Sequence, residues 1–314
     1  MDLGGTKLWV GMFSENGTCL SKIHYPVKQY SGDDLSDFIC FKLKDAMTSQ
    51  SEKLRAVGIA IPGMYNAVQD EVWAPNIEGW KAFPLKARLQ EVVGNIPISI
   101  EDDRTCCILG EAWQGAAKTL QNVVFITVGT GIGAGILSEG KVLKGSLGTA
   151  GAVGWMALEG EEKQLYATYG CFEAFSSGDG IARLARQLME ESPAYNGTLK
   201  KKTNINATQI FRALEQHDPI ANKVITFCIK SWGKAVANLV SILNPELIVF
   251  GGGIFGPALK YLPDINTEMC KWAQPLASSK VRLMGSSLNG LACLYGAAWS
   301  ATRLLNDQRN AIYA

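Results

Sequence analysis

Residues 122–138 read NVVFITVGTGIGAGILS, and the architecture turns on how they fold. Asn122 to Val128 is an apolar run of strand length, Gly129-Thr130-Gly131 turns it, and 132–138 returns as a second strand. The chain opens on a similar device. DLGGTK at 2–7 leads into a strand at 6–14, which turns at Glu15-Asn16-Gly17 into another near 18–26. Two halves that each begin on a glycine-rich hairpin form a weak internal repeat. Facing glycine turns from similar halves point to a ligand held in a cleft between two domains.

Outward from these hairpins the chain alternates. Leu35, Phe38, Ile39, Leu43 and Met47 recur at helical spacing from Asp34 to Met47. Strands are expected at 55–61 and 97–102, with a helix at 84–93 between them and another at 104–117. Ser138-Glu139-Gly140-Lys141 reads as a further hairpin turn. Polar linkers at 159–170 and 191–206 flank a helix near 173–190. A long helix at 219–243 leads to a strand at 246–250, and a strand at 280–285 and a helix at 290–305 close the chain. This is an α/β pattern with too many hairpins for a purely parallel sheet.

Composition excludes several functions. The 314 residues suit two domains, and 47% apolar with 19% charged residues suits a packed core. Lys plus Arg number 30 against 29 Asp plus Glu, a net charge of +1, which argues against nucleic acid as a partner. No apolar run is long enough to span a bilayer, so no membrane partner is expected. No secretory leader precedes Asp2, and a cytoplasmic protein is expected. Eight Cys without a CxxC pair and only two His, His24 and His217, favour neither disulfides nor a hydrolase triad.

Glycine turns with a Thr allow backbone N–H groups and a hydroxyl to approach phosphate closely, although each could equally be a tight turn and nothing more. Gly135-x4-Gly140-Lys141 imitates a P-loop, but Val142 stands where Ser or Thr must bind magnesium. Gly251-x-Gly253-x-x-Gly256 imitates a dinucleotide fingerprint, yet Pro257 follows at once and Lys280 to Met284 carries no acid for a ribose.

Six ordered segments resemble the ROK (repressor, open reading frame, kinase) sugar kinases: DLGGTK at 2–7, GIAIPG at 58–63, APNIEGW at 74–80, SIEDDRTCCILGEAWQG at 99–115, TVGTGIGAGIL at 127–137 and NPELIVFGGG at 244–253. The resemblance implies an actin-like ATPase (ribonuclease H-like) fold of two duplicated α/β domains. The implied domains are 1–117, completed by the C-terminal helix 290–314, and 118–289. It also implies an ATP-dependent sugar kinase, glucokinase-like, acting on a hexose or modified sugar.

By position Asp103 falls on the family's general base, while Asp102, Asn76, Glu173 and Gly63 fall on sugar-side positions. Gly4, Gly5, Thr6, Lys7, Gly129, Thr130 and Gly131 fall on the phosphate loops, and Gly251, Gly252 and Gly253 on the adenosine side. Asp2 falls near Mg2+, reached through water. A helix starting at Asp103 is expected to keep that carboxylate ionised, and the bland alternative is that Asp102 or Asp103 only caps the helix.

The family's Glu-x-Gly-His motif reads Ala152-Val153-Gly154-Trp155 here, and its zinc positions read Trp155, Gln164, Tyr166 and Cys171. One thiol builds no tetrahedral site, so no zinc is expected. Trp155 is expected to fill the vacated space as core, and a modified sugar to replace glucose. Little precedes the first loop, so either the start lies upstream or the first strand is truncated, and a DNA-binding repressor is disfavoured. A sugar- or nucleotide-binding regulatory pseudokinase and, more remotely, a nicotinamide-dependent oxidoreductase stand as alternatives. Sugar and ATP are the expected partners, and a homodimer is one assembly the reading allows.

Overall fold

Alternation of apolar and polar residues sets the first sheet. In the computed structural model, which describes residues 1–49, 53–158, 163–202 and 204–312, Asp2–Leu3 forms strand β1. Lys7–Phe13 (β2) and Cys19–Pro26 (β3) form the expected hairpin, with a register shift at Met12/Phe13. Helix α1, Gly32–Thr48, buries Leu35, Ile39 and Leu43 along one stripe. Val57–Ile61 (β4) is buried throughout and lies parallel to β1. A small hairpin, Met64–Asn66 (β5) with Glu71–Trp73 (β6), is a feature the sequence reading missed. Leu85–Val93 (α2), Ile98–Asp102 (β7) and Asp103–Gln114 (α3) follow. The sheet order is β3-β2-β1-β4-β7, antiparallel across the hairpin and parallel from β1 onward.

The second sheet repeats the plan. Val123–Val128 (β8), Ile132–Ser138 (β9) and Lys141–Val142 (β10) run as an antiparallel meander, so the apparent P-loop is a hairpin. Of the expected linker at 159–170, residues 159–162 lie outside the described residues and Tyr166–Tyr169 forms a helical turn, α4. The single helix expected at 173–190 is two. Cys171–Ser176 (α5) stops where the Ser177 side chain accepts the Gly180 N–H and starts Gly178–Glu190 (α6). Ala207–Glu215 (α7) was also missed, although Asn206 and Gln209 form a full capping box.

Pro219–Leu243 (α8) has the expected bounds, capped by Asp218 and stopped by Asn244 in the left-handed region. Leu247–Gly251 (β11), Leu262–Met269 (α9), Pro275–Ser278 (α10) and Arg282–Gly285 (β12) complete this part, α9 and α10 unforeseen. The order is β10-β9-β8-β11-β12. After β11 comes a single tight turn, Gly253–Phe255, and no long helix starts there, so the dinucleotide reading fails.

The last helix, Ala292–Ile312 (α11), returns to the first sheet. Its backbone lies so close to α3 and β4 that a Cβ at Gly296 would stand 1.7 Å from the Cys106 carbonyl oxygen. A Cβ at Gly58 would stand 1.8 Å from that of Ala297. The chain accordingly forms two compact units, Met1–Thr119 with Ser287–Ala314, and Leu120–Ser286, each with its own apolar core. Among the described residues no helix is long and apolar enough to cross a membrane.

Candidate active site

Ligands of parallel sheets gather outside the carboxyl ends of the strands. In the first unit the register pairs Asp2 with Ala60 and Ile61 with Asp102, so the carboxyl ends of β1, β4 and β7 are neighbours. Those ends lead into Gly4–Thr6, Pro62–Gly63 and Asp102–Asp103. The sequence-predicted Asp2, Gly4, Gly5, Thr6, Lys7, Gly63, Asp102 and Asp103 therefore share one edge. The Gly4 N–H donates to the Lys7 carbonyl at 2.8 Å, and the Val27 N–H to that of Thr6 at 3.1 Å, which holds the loop from both sides.

Asn76 sits exposed on the 74–80 turn. The Ala74 N–H donates to the Trp80 carbonyl at 2.6 Å, and buried Trp80 donates from Nε1 to the Gly32 carbonyl at 3.0 Å. Gly63 packs beneath this turn, where a Cβ would stand 2.2 Å from the Trp73 carbonyl oxygen.

The two adjacent aspartates divide the work that the sequence left open. Asp102 is the cap: its Oδ1 accepts the Thr105 N–H at 3.0 Å and pairs with Arg104 Nε at 3.3 Å. Asp103 is the first residue of α3; its half-buried carboxyl accepts the neighbouring Arg104 N–H but does not cap the helix as Asp102 does. Burial, helped by the Asp102 charge, pushes it up to about 6. Desolvation therefore outweighs the helix terminus in setting its value, although a carboxyl raised to about 6 is still mostly ionised at neutral pH. Burial also raises Asp2, against a hydrogen bond from the Cys293 thiol. No spacing in the sequence announces that contact between positions so far apart.

In the second unit β8 and β11 run parallel with Thr127 beside Gly251, so Gly129–Gly131 and Gly252–Gly253 emerge as neighbours. The Gly129 N–H donates to the Gly131 carbonyl at 2.9 Å, and the Gly178 N–H closes on the Gly129 carbonyl at 2.7 Å. Thr130 stands exposed at the tip. Glu173, which falls on a sugar-side position of the family, is half-buried, and its Oε2 accepts the Ile132 N–H at 2.6 Å. Burial raises its carboxyl above the usual range, opposed by that bond and by Arg183.

Packing separates two kinds of glycine. At Gly251 and Gly252 a Cβ would collide with the Phe125 ring and the Val128 carbonyl, so the fold itself requires them, and at Gly131 it would crowd the Glu173 carboxylate. At Gly5, Gly129 and Gly253 a Cβ would meet nothing within 4 Å. Their bareness serves no internal contact and leaves room for an outside group to approach the backbone closely.

Trp155 is not core. It is 58% exposed, because the tight turn Val153–Trp155 aims it outward, while the Trp155 backbone packs on Gly170. The positions of the family's zinc ligands offer one thiol, Cys171, and that sulfur already accepts the Leu158 N–H at 3.4 Å. Among the described residues no cluster of His, Cys, Asp and Glu could hold a metal ion. The donor set does not fit zinc. For Mg2+, Asp2 offers a hard oxygen ligand beside the first loop.

The profile of the ROK family matches residues 1–303. The chain belongs to the ROK family. A glucokinase of Halalkalibacterium halodurans is 30% identical over 99% of this chain and 96% of its own length. A glucokinase of Thermotoga maritima is also 30% identical, over 95% of each chain. Among solved structures, a ROK family glucokinase from Streptomyces griseus in complex with glucose and AMPPNP is 28% identical with a TM-score of 0.77, over 96% of this chain and 98% of that one. The ROK hexokinase from Thermus thermophilus is 27% identical with a TM-score of 0.79, over 98% of both. The fold of this ROK protein is therefore the actin-like ATPase fold of those kinases.

Proposed function

We propose that this ATP-dependent sugar kinase uses Asp103 as its general base and prefers a modified sugar to glucose. The observation that carries the first part is the division between neighbours: Asp102 spends its Oδ1 on the helix cap, while Asp103 is half-buried with a carboxyl raised to about 6. Such a group is ionised at neutral pH yet basic enough to take a proton. The sugar hydroxyl oxygen attacks the γ-phosphorus as its proton passes to an Asp103 carboxylate oxygen. The bond to the bridging oxygen breaks, and ADP leaves with that electron pair.

Asp102 Oδ2 and Asn76 orient the hydroxyl-bearing edge of the sugar. The loops Gly4–Lys7 and Gly129–Gly131 take phosphate oxygens through N–H groups other than those of Gly4 and Gly129, which are spent inside the loops, and Gly251–Gly253 lie along adenosine. Mg2+, approached by Asp2 through water, offsets phosphate charge when bound. Asp2, Glu173 and the loops act by holding and orienting.

The second part rests on exposed Trp155 and on Ala152, which stand where the family keeps an imidazole and a carboxylate. Each lost charge-assisted bond weakens a free hydroxyl there by about 1.5–3 kcal/mol, whereas an aromatic face favours a substituted or deoxygenated position. Coupled ATP turnover across hexoses, amino sugars, ketoses and glycosides tests both parts. A modified sugar should give the highest kcat/KM, and Ala152→Glu with Trp155→His should shift preference toward glucose. Glucose as the best substrate of the unmodified protein overturns the specificity reading, and no turnover with any sugar favours the regulatory pseudokinase.

A further inference from the structure

Glu173 lies on a helix of six residues, too short to hold its own place. The turn before it, α4, is shorter still and is joined to it through Gly170 at φ +78°. This segment nevertheless delivers a carboxylate oxygen to the Ile132 N–H, 41 residues away, at 2.6 Å. The family's zinc positions fall in and beside this segment, and the donor set here does not suit a metal ion.

What does cross the segment is a set of cations on aromatic faces. Arg183, from the second turn of α6, places its guanidinium carbon 4.0 Å from the Tyr169 ring centroid, and its Nη1 donates to the Ala174 carbonyl. It thereby joins the end of α4 to α5 on both sides of Glu173. Lys163 Nζ lies 5.8 Å from the Tyr166 ring and 5.2 Å from that of Phe175, rings that meet edge to face at 6.4 Å. Tyr166 occupies one of the positions where the family keeps a zinc ligand.

We propose that Arg183 is a positioning residue, and that its clasp on Tyr169 and Ala174 takes the place of a metal ion in fixing Glu173. The clasp is built from geometry alone, while its effect on sugar binding rests on the sugar-kinase reading above. An arginine suits the task because its planar fork stacks on a ring and donates to a carbonyl at once, and Lys does one or the other.

The test uses the full chain and needs no substrate for its first readouts. Purified protein should carry under about 0.1 equivalent of zinc and keep its Tm in chelator, as a site with one thiol requires. Arg183→Gln should raise hydrogen exchange at the amides of 165–176 by about tenfold, the scale of a partly desolvated cation–π contact, and Arg183→Lys should restore part of the protection. Tyr169→Leu should act like Arg183→Gln, the double variant should add little, and Tyr169→Phe should match the parent. Tyr169 is 39% exposed, so its variants remain informative if Arg183→Gln fails to fold.

In turnover, Arg183→Gln should raise KM for the sugar about tenfold with kcat within about threefold, as expected when a binding group is misplaced and the base is intact. Raised exchange with an unchanged sugar KM would keep the clasp and overturn the sugar role of Glu173. One equivalent of zinc whose removal loosens 165–176, or unchanged exchange in both Arg183→Gln and Tyr169→Leu, would overturn the clasp.

Discussion

The carboxyl of Asp103 should set the acid limb of the enzyme and should do so at a cost in stability. With its value raised to about 6, the carboxylate is about nine-tenths ionised at pH 7 and about one-tenth ionised at pH 5. The kcat/KM for the sugar should therefore fall about tenfold between pH 8 and pH 5 along a single-proton limb. Asp102→Asn keeps the cap, since an Asn oxygen still accepts the Thr105 N–H, but removes the neighbouring charge. The limb should then move to lower pH. Asp103→Asn should cut turnover by about two to four orders of magnitude with nucleotide binding retained.

Stability should move the other way. A carboxyl raised above its ordinary 3.8 favours the fold most when protonated, so its contribution is full below about pH 4 and is lost as pH rises through about 6. At pH 7.5 the ionised group costs about 2 kcal/mol, once the solvent that still reaches it is discounted. Asp103→Asn should therefore melt higher than the parent at pH 7.5, and the gap should close at pH 4. Near-normal turnover in that variant, or a limb indifferent to Asp102→Asn, refutes the assignment.

Gly296→Ala should destabilise the protein by about 3 kcal/mol or more, read as a fall in the denaturant midpoint, because the Cys106 backbone cannot move aside as a side chain could. Trp80→Ala should cost about 3–5 kcal/mol in the same assay and raise KM for the sugar by loosening the turn that carries Asn76. Asp218 should contribute to acid sensitivity. Its burial alone would raise it, but hydrogen bonds from Tyr195, the Ala221 N–H and Thr198 hold it below the ordinary carboxylate value. Its stabilisation is thus present above about pH 4 and lost as pH falls further; Asp218→Asn should flatten that acid loss while lowering stability at pH 7 by about 2 kcal/mol.

Elements with both ends written into the chain were the legible ones. Helix α8 carries Asp218-Pro219 at its start and Asn244-Pro245 at its end, and its bounds follow from those residues. The hairpins declare themselves through alternation and glycine turns. By contrast, β5 and β6 have three residues each, too few for a period to show. The apolar pattern runs on across Ser177, hiding the break between α5 and α6, whose only mark is a side chain turned to its own backbone.

Identities at the candidate site were readable as ordered motifs, while their physical states were not. The value of Asp103 depends on walls supplied by distant elements, and the bond from Ile132 to Glu173 joins residues that no local period connects. Trp155 misled because its type is usually covered, whereas its position on a tight turn exposes it.

The return of α11 to the first sheet carries a consequence for how the protein is made. Leu120–Ser286 is contiguous, and all of its strands leave the ribosome before α11 exists. The first sheet emerges earlier but lacks a cover over β4 and α3 until Ala292 onward has been synthesised, which at about 5–20 residues per second is a delay on the order of ten seconds or more. During that interval the apolar faces of Gly58, Ala60 and Cys106, which Ala297 and its neighbours later cover, are open to other chains. The later-synthesised half can therefore complete its structure first, and nascent chains stalled before residue 292 should be the form that chaperones retain.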